Sequence, residues 1–250
     1  LPQGFVIAGT CIVEREDIKK MKNIKAIFWK QAKDTLKNKM ILIQFVMFPF
    51  IAVFMENLVV VEDMPPHFFV KLFAGMYIGM APISAMSAIL AEEKEDCTLK
   101  ALLMSDVRPV EYLLGTGSYV WTACMTGSCV LGIVGEYEGA DFLLFLAVMG
   151  IGILASILIG AAVGTWSKNQ MASASLGVPV MMIFAFLPMF ATFNENIKKA
   201  AKFAYSEQIN ILINKLGAEA VSFENIAVIS LNIVIAFLLF WFAYKRCGLS

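Results

Sequence analysis

The chain has 250 residues, of which 59% are hydrophobic and 16% are charged, and its formal net charge is zero. A soluble domain is usually about 45–50% apolar and about 25% charged, so this composition excludes a soluble globular protein. It predicts an integral membrane protein, and we expect no nucleic-acid partner.

Residues 1–20 differ from the rest of the chain. Residues 4–13 are apolar, but they are too few to span a bilayer, no basic flank precedes them and no clear cleavage site follows. This is not the pattern of a signal peptide. Met21 opens a lysine-rich segment that looks like a natural start, so we treat residues 1–20 as an extension of unknown role.

Residues 21–40 predict an amphipathic helix on the cytoplasmic membrane surface. Apolar and lysine side chains fall mostly on different faces, which is typical of a helix lying in the interface. The apolar face carries Ile24, Ile27, Phe28, Ala32, Thr35 and Leu36, and the lysines are Lys25, Lys30, Lys33, Lys37 and Lys39. The alternative is a solvated linker that precedes the membrane.

Six apolar stretches follow, and each is close to the roughly 20 residues that a helix needs to cross the hydrocarbon core. Their continuous apolar character indicates helices, because a barrel strand would alternate. The stretches cover residues 41–61, 69–91, 110–134, 142–166, 172–193 and 226–244. We therefore predict an all-α integral membrane protein with one six-helix domain over residues 41–250.

Most lysines and arginines fall on one side of these spans, which by the positive-inside rule places both chain ends in the cytoplasm of a multi-pass plasma-membrane protein. The loop between the fifth and sixth spans is then outside. It repeats apolar residues at helical spacing and predicts one or two amphipathic helices. These residues are Ile197, Ala201 and Ala204, then Ile209, Leu212, Ile213 and Leu216, with Gly217 as a possible C-cap.

Two small-residue motifs predict close helix packing: Gly75 with Gly79, and Gly160 with Gly164. Glycines four residues apart let two helix backbones approach each other in a membrane. The spacing does not tell whether the partner helix belongs to the same chain or to a second copy.

The spans contain almost no groups that could perform chemistry. No ionisable residue lies in mid-span, since Glu56 and Lys71 are near the outer ends. His67 has no apparent partner, and the five cysteines show no metal-type spacing. No phosphate-binding loop, metalloprotease motif or nucleophile elbow occurs. We expect no catalytic, cofactor-binding or metal-binding residue, and energy for any uphill transport must come from another subunit.

The polar run 92–112 between the second and third spans predicts a short cytoplasmic helix over about 92–104. Leu99, Leu102 and Leu103 recur at helical spacing after the acidic start, and Pro109 stands where the next helix begins. A helix displayed between two spans offers a surface to a soluble partner.

The run Glu92-Glu93-Lys94-Glu95-Asp96-Cys97-Thr98-Leu99, with Leu102-Leu103, Pro109, Glu111 and Leu113-Leu114-Gly115, resembles the inner-loop signature of type-2 ABC exporter permeases. Cys97 replaces the usual glycine, and Thr116 replaces the usual lysine. The plan from about residue 21 to residue 250 also resembles that family.

The resemblance implies that two such chains pair, as a homodimer, over two cytoplasmic ATPase subunits that bind ATP and Mg²⁺. The helix at 92–104 would be the coupling helix. Glu92, Glu93, Glu95 and Asp96 would pair with charges on the ATPase, and Leu99, Leu102 and Leu103 would supply apolar contacts. The first, second and fifth spans would line the cargo path.

The sequence thus predicts the permease subunit of an ATP-driven exporter for hydrophobic or amphipathic cargo, such as small amphipathic peptides or drugs. It predicts a transport subunit and not an enzyme. Two alternatives stay open: a secondary carrier or channel that needs no ATPase, and a membrane enzyme acting on lipids.

Overall fold

A computed structural model describes residues 4–59, 65–105, 107–215 and 222–247, without the side chains of residues 4–19, 40, 103 and 192. The helices are α1 (Gly4–Lys37), α2 (Lys39–Leu58), α3 (Phe68–Glu95), α4 (Thr98–Met104), α5 (Pro109–Val134), α6 (Gly139–Trp166), α7 (Gln170–Phe193), α8 (Glu195–Ala201), α9 (Tyr205–Asn214) and α10 (Phe223–Cys247). Six of them, α2, α3, α5, α6, α7 and α10, are long and apolar enough to cross a membrane. The predicted all-α membrane fold is therefore confirmed.

The N-terminal helix is longer than the sequence suggested. α1 runs without a break from Gly4 to Lys37, so no helix boundary separates residues 4–20 from the segment after Met21. One residue, Asn38, divides it from α2, which already begins at Lys39. The predicted interfacial segment 21–40 thus includes the first two residues of a span.

The second span extends further than predicted, and this corrects the bounds of the short helix. α3 continues to Glu95, and α4 covers only Thr98–Met104, whereas we expected one helix over 92–104. α3 can continue to Glu95 because Glu92 and Glu93 accept hydrogen bonds from Asn38 and Gln31, which lie outside α3. A polar group that is satisfied in this way can be buried at little cost.

α3 forms the centre of the bundle, with α2, α5, α6, α7 and α9 packed around it. Its buried side chains lie on nearly every face, and Tyr77, Ile78, Ile83, Met86 and Leu90 are almost completely enclosed. A helix that is apolar all round suits such a central position.

Three of the four predicted packing glycines lie at tight helix contacts within the chain. A Cβ at Gly79 would come within 2.5 Å of the Ala185 backbone nitrogen on α7. On α6, a Cβ at Gly160 would lie 2.7 Å from the Ile83 carbonyl oxygen, and one at Gly164 would lie 2.8 Å from Leu90 Cβ. Gly75 differs, since its nearest neighbour across the contact, Asn210 Oδ1, is 3.6 Å away.

The loop between α7 and α10, which we predict to be outside, contains two short helices, α8 and α9. Ile209, Leu212 and Ile213 on α9 are buried, and Tyr205 shares a hydrogen bond of 2.7 Å with Ser156 on α6. Ala204 lies between the two helices as the N-cap of α9. The predicted Leu216 and Gly217 lie outside the described residues. α9 packs against α3, α6, α7 and α10, so it belongs to the bundle and is not a separate domain.

Candidate functional site

The chain reverses between α3 and α4 through a left-handed residue. Cys97 has φ 57° and ψ 10°, a conformation that L-residues other than glycine, asparagine and aspartate rarely adopt. The Thr98 hydroxyl donates to the Glu93 carbonyl oxygen at 3.2 Å across the turn. This geometry lets α4 fold back beneath the inner end of α3.

α4 has one face on the bundle and one face outward. Leu99 is completely buried, and Leu102 is half-buried against the core. Lys100, Ala101 and Met104 point away, and Met104 is 80% exposed. The helix is therefore anchored by Leu99 and displays its opposite side.

An ion pair ties α1 to α3 directly above this turn. Glu93 is buried and accepts from Lys30 and, at 2.7 Å, from the Gln31 side chain. Burial lowers the pKa of Lys30, but the hydrogen bonds and negative charges of Glu93 and Asp34 outweigh it, and the net pKa is raised. Lys30 consequently stays charged, and the pair is a permanent link between the two helices.

Two further carboxylates bind the inner end of α3 to its other neighbours. Glu92 accepts from Asn38, between α1 and α2, at 3.1 Å and from the Gln170 side chain at 3.4 Å. Glu95 accepts from the Gln170 backbone N–H at 2.9 Å, at the start of α7. The end of α3 is thereby connected to α1, α2 and α7.

The start of α5 is held in a similar way. Glu111 accepts from the Arg108 backbone N–H at 3.3 Å and from the Asn23 side chain at 2.8 Å. Pro109 opens the helix, where its missing N–H costs no intrahelical hydrogen bond. Both spans that flank α4 are therefore bonded to α1.

The predicted docking residues separate into two groups. Glu93 and Leu99 are buried in contacts within the chain, and Glu92 is half-buried. Glu95 and Asp96 are exposed, while the Leu103 side chain is outside the described residues. The sequence predicts that the four acidic residues face the ATPase and that the three leucines contact either the ATPase or the base of the permease; Leu99 contacts the permease itself. The surface available to a partner is formed by Glu95, Asp96, Lys100, Ala101 and Met104, which we name the α4 surface.

Sequence reasoning missed the partners of these carboxylates, although one signal was present. Ile27, Gln31 and Thr35 follow each other at four-residue spacing, and all three are buried. A glutamine in the apolar stripe of an amphipathic helix indicates a buried hydrogen-bond partner. Only the packing of α1 on α3 shows that this partner is Glu93.

The remaining polar groups include the residue types that bind metal ions. Within the described ranges, no three histidine, cysteine, aspartate or glutamate residues come together as a metal site would need. His67 Nδ1 lies 3.4 Å from Glu56 Oε1, between the end of α2 and the start of α3, a contact that the sequence did not suggest and that is an ion pair only when the imidazole is protonated.

The family model described as ABC-2 family transporter protein matches residues 67–245. The chain belongs to the ABC-2 transporter family. The match runs from just before α3 to the last turn of α10 and includes α4. The search of curated proteins found no match. As an ABC-2 protein the chain is the membrane subunit of a transporter, and its family implies an ABC ATPase as partner.

On α3 of this ABC-2 permease, one stripe of polar and apolar side chains is partly exposed. Met76, Met80, Ser84 and Ala88 recur every four residues and are half-exposed, although their neighbours on the helix are buried. Such spacing places them on one face. We name this face the α3 stripe.

The α3 stripe lies beside the contacts that α3 makes with α2 and α7. Ser84 donates to Gln44 on α2 at 3.0 Å, and Ser173 on α7 donates to the Ser87 carbonyl oxygen at 3.0 Å. α2 and α7 thus contact α3 beside the α3 stripe, and we call the space over the stripe between these two helices the groove.

Proposed function

We propose that the chain is the permease subunit of an ATP-driven exporter that moves hydrophobic or amphipathic cargo, such as small amphipathic peptides or drugs, out of the cell. ATP and Mg²⁺ are bound by a separate ATPase subunit. The observation that carries the proposal is α4, a short helix displayed below the bundle and anchored to it by Leu99.

The α4 surface is the docking site for the ATPase in this proposal. It combines the exposed thioether of Met104 with Asp96 on one side and Lys100 on the other. A methionine adapts to an apolar groove, and exposed charges add orientation more than affinity. Movement of the ATPase would pass through α4 to α3 and, through the Lys30–Glu93 pair, to α1.

Cargo passes along the α3 stripe in this proposal, between two copies of the chain. The α3 stripe is mainly apolar, with Met76 and Met80 on one side of Ser84. Methionine-rich surfaces repack around ligands of different shape, which suits a hydrophobic or amphipathic cargo. A second permease copy facing α2 and α7 would close the groove into a path.

Both chain ends are cytoplasmic in this proposal. The basic residues of α1 and of the last turn of α10, Lys245 and Arg246, then lie on the same side as α4. This is the side where the positive-inside rule expects them.

A charge placed on the α4 surface tests the proposal. Met104→Asp should reduce the amount of ABC ATPase that co-purifies with the permease at least tenfold, because a carboxylate would have to be desolvated in an apolar contact. The measurement is quantitative mass spectrometry of the complex purified from its native membrane.

Met171→Asp is the matched control. Met171 is 83% exposed at the start of α7, on the same side of the bundle, but it lies outside α4. The docking assignment is wrong if both variants lose the ATPase equally or if Met104→Asp keeps it. If the unmodified permease transports in vesicles without any ATPase, a secondary carrier replaces the exporter.

A further inference from the structure

A basic pocket lies away from the α3 stripe and the α4 surface, where the inner ends of α3, α6 and α10 meet. Its volume is about 380 Å³, and its walls are Lys94, Trp166, Ser167, Lys168 and Cys247. We name it the α6–α10 pocket. Neither cargo movement nor ATPase docking uses these residues.

Two cations line the α6–α10 pocket, Lys94 and Lys168, and a third, Arg246, lies against its Trp166 wall. Lys94, near the end of α3, is half-buried and donates to the Thr165 carbonyl oxygen at 2.7 Å. Lys168 follows α6, and the Arg246 guanidinium lies over the Trp166 ring, 6.0 Å from its centroid. The tryptophan that forms one wall therefore holds a cation at its face.

No acidic side chain lines the pocket among the described residues. The two acidic neighbours of Lys94 on α3 accept hydrogen bonds elsewhere, Glu93 from the Gln31 side chain and Glu95 from the Gln170 backbone. α6 and α10 both end here, and each helix C-terminus carries about half a negative charge. Burial disfavours the charged form of Lys94, which makes a negatively charged partner beside it favourable. The positive charges at the pocket outweigh the two partial charges, so the local electrostatics favour an anion.

The surroundings of the pocket are those of a membrane interface. Trp166, Trp241 and Phe242 are each about half exposed, and the Trp166 and Phe242 ring centroids lie 6.2 Å apart. Lys245 lies over the Trp241 ring, 5.2 Å from its centroid. Tryptophan prefers the headgroup level, and basic pockets between spans on the cytoplasmic side suit acidic headgroups.

We propose that the α6–α10 pocket binds the phosphate headgroup of an anionic phospholipid from the cytoplasmic leaflet. Lys94, Lys168 and Arg246 neutralise the phosphate, and the acyl chains lie along the exposed apolar face of α10. The leaflet rests on the orientation proposed above, whereas the binding chemistry does not depend on the transported cargo.

The experiment compares lipid retention by the purified permease in detergent after exchange with an equal mixture of phosphatidylglycerol and phosphatidylcholine. Native mass spectrometry counts the lipids that stay bound. The unmodified protein should retain phosphatidylglycerol selectively. The variant Lys94→Gln/Lys168→Gln/Arg246→Gln should lose this selectivity, with binding about fivefold weaker for each charge removed.

A control variant removes three lysines of the outer loop, Lys198→Gln/Lys199→Gln/Lys202→Gln, and should retain the lipid like the unmodified protein. Equal loss in both variants, or selective retention in the pocket variant, would overturn the proposal. Lys168→Gln alone is the second test if the triple variant does not fold, because Lys168 is exposed.

Competition separates a lipid from a free phosphate. Glycerol phosphate at millimolar concentration should not displace bound phosphatidylglycerol, since it lacks the acyl chains that contact α10. Complete displacement would identify the pocket as a site for soluble phosphates and would overturn the lipid proposal.

Discussion

Cys97 occupies a backbone conformation that favours glycine. Its φ of 57° brings the Cβ atom close to the backbone, at a cost of roughly 1–2 kcal/mol for an L-residue. Type-2 ABC exporter permeases, which the chain resembles, have glycine at this position. The left-handed turn is the physical reason for that glycine. The turn is kept because Leu99 anchors α4 on the bundle and the Thr98 hydroxyl donates across the turn to the Glu93 carbonyl oxygen.

Cys97→Gly should therefore stabilise the fold by about 1 kcal/mol, because glycine adopts positive φ without steric cost. The measurement is thermal unfolding of the purified permease in detergent. Cys97→Ala is the matched control, since alanine removes the thiol but keeps the Cβ. The same melting temperature for both variants would show that the turn is not strained.

Glu207 on α9 is a buried carboxyl at the outer end of the bundle. Its Oε2 atom has no hydrogen-bond partner among the described residues. Burial raises the pKa of Glu207 above 4.5, although a hydrogen bond with Asn210 and the charge of Lys198 act in the opposite direction. The folded protein thus holds this proton more tightly than the unfolded chain does.

The raised pKa of Glu207 determines how the stability of the fold changes with pH. Protonation of Glu207 contributes stability that is fully present below pH 4.5 and is lost as the pH rises through the raised folded pKa. Glu207→Gln should accordingly be about 1 kcal/mol more stable than the unmodified protein at pH 7.5.

The difference between the Glu207→Gln variant and the unmodified protein should disappear at pH 4, in melting curves recorded at both pH values. Glu138→Gln, at an exposed outer carboxylate, should show no such pH-dependent gain. A Glu207→Gln variant that is less stable at pH 7.5 would mean that the charged carboxylate is needed.

At the scale of elements, the contact of α3 with α7 depends on missing side-chain volume. Gly79 and Gly75 are both on α3 and differ only in what faces them. Gly79 meets the α7 backbone at Ala185, whereas Gly75 meets the end of the Asn210 side chain at an ordinary distance. The α7 backbone cannot shift away from an added Cβ atom as easily as the end of the Asn210 side chain can.

Gly79→Ala should destabilise the fold by about 1–3 kcal/mol, the usual cost of overpacking a close-packed contact. Gly75→Ala should be neutral or slightly stabilising, because alanine has the higher helix propensity. Thermal unfolding and the yield of monodisperse protein measure both. Equal effects of the two substitutions would show that α7 can shift away from α3.

At the scale of the whole molecule, the outer faces of α2, α7 and α10 are the most open apolar surfaces among the spans. α2 and α7 flank the α3 stripe, while α10 packs on α6 at another side of the bundle. A second copy that closes the groove must therefore cover α2 and α7 and leave α10 to lipid.

Cysteine crosslinking tests this arrangement in a background without the five native cysteines. Val46→Cys combined with Ile183→Cys should give a covalent dimer with a short crosslinker, and Leu238→Cys on α10 should not. The three side chains are similarly exposed, at 54%, 60% and 57%. Dimers formed through Leu238, or none through Val46 and Ile183, would contradict the proposed pairing.

Much of the molecule could be predicted from its sequence because hydropathy is a local property. Twenty consecutive apolar residues must form a helix in lipid, where every backbone polar group has to be satisfied. This requirement gave the six spans to within a few residues. The positive φ at Cys97 could also be predicted from the sequence, since the permeases that the chain resembles have glycine where it has cysteine.

The tertiary structure decided which polar residues act together. Glu92, Glu93 and Glu95 form an acidic run in the sequence, but Glu93 bonds to α1, Glu92 to the α1–α2 junction and α7, and Glu95 to α7. Periodicity describes the face of one helix and not the helix that covers it. Helix packing therefore decided that residues 92–104 divide into the end of α3 and an anchored α4. It also decided that Lys94, Lys168 and Arg246 lie near one another.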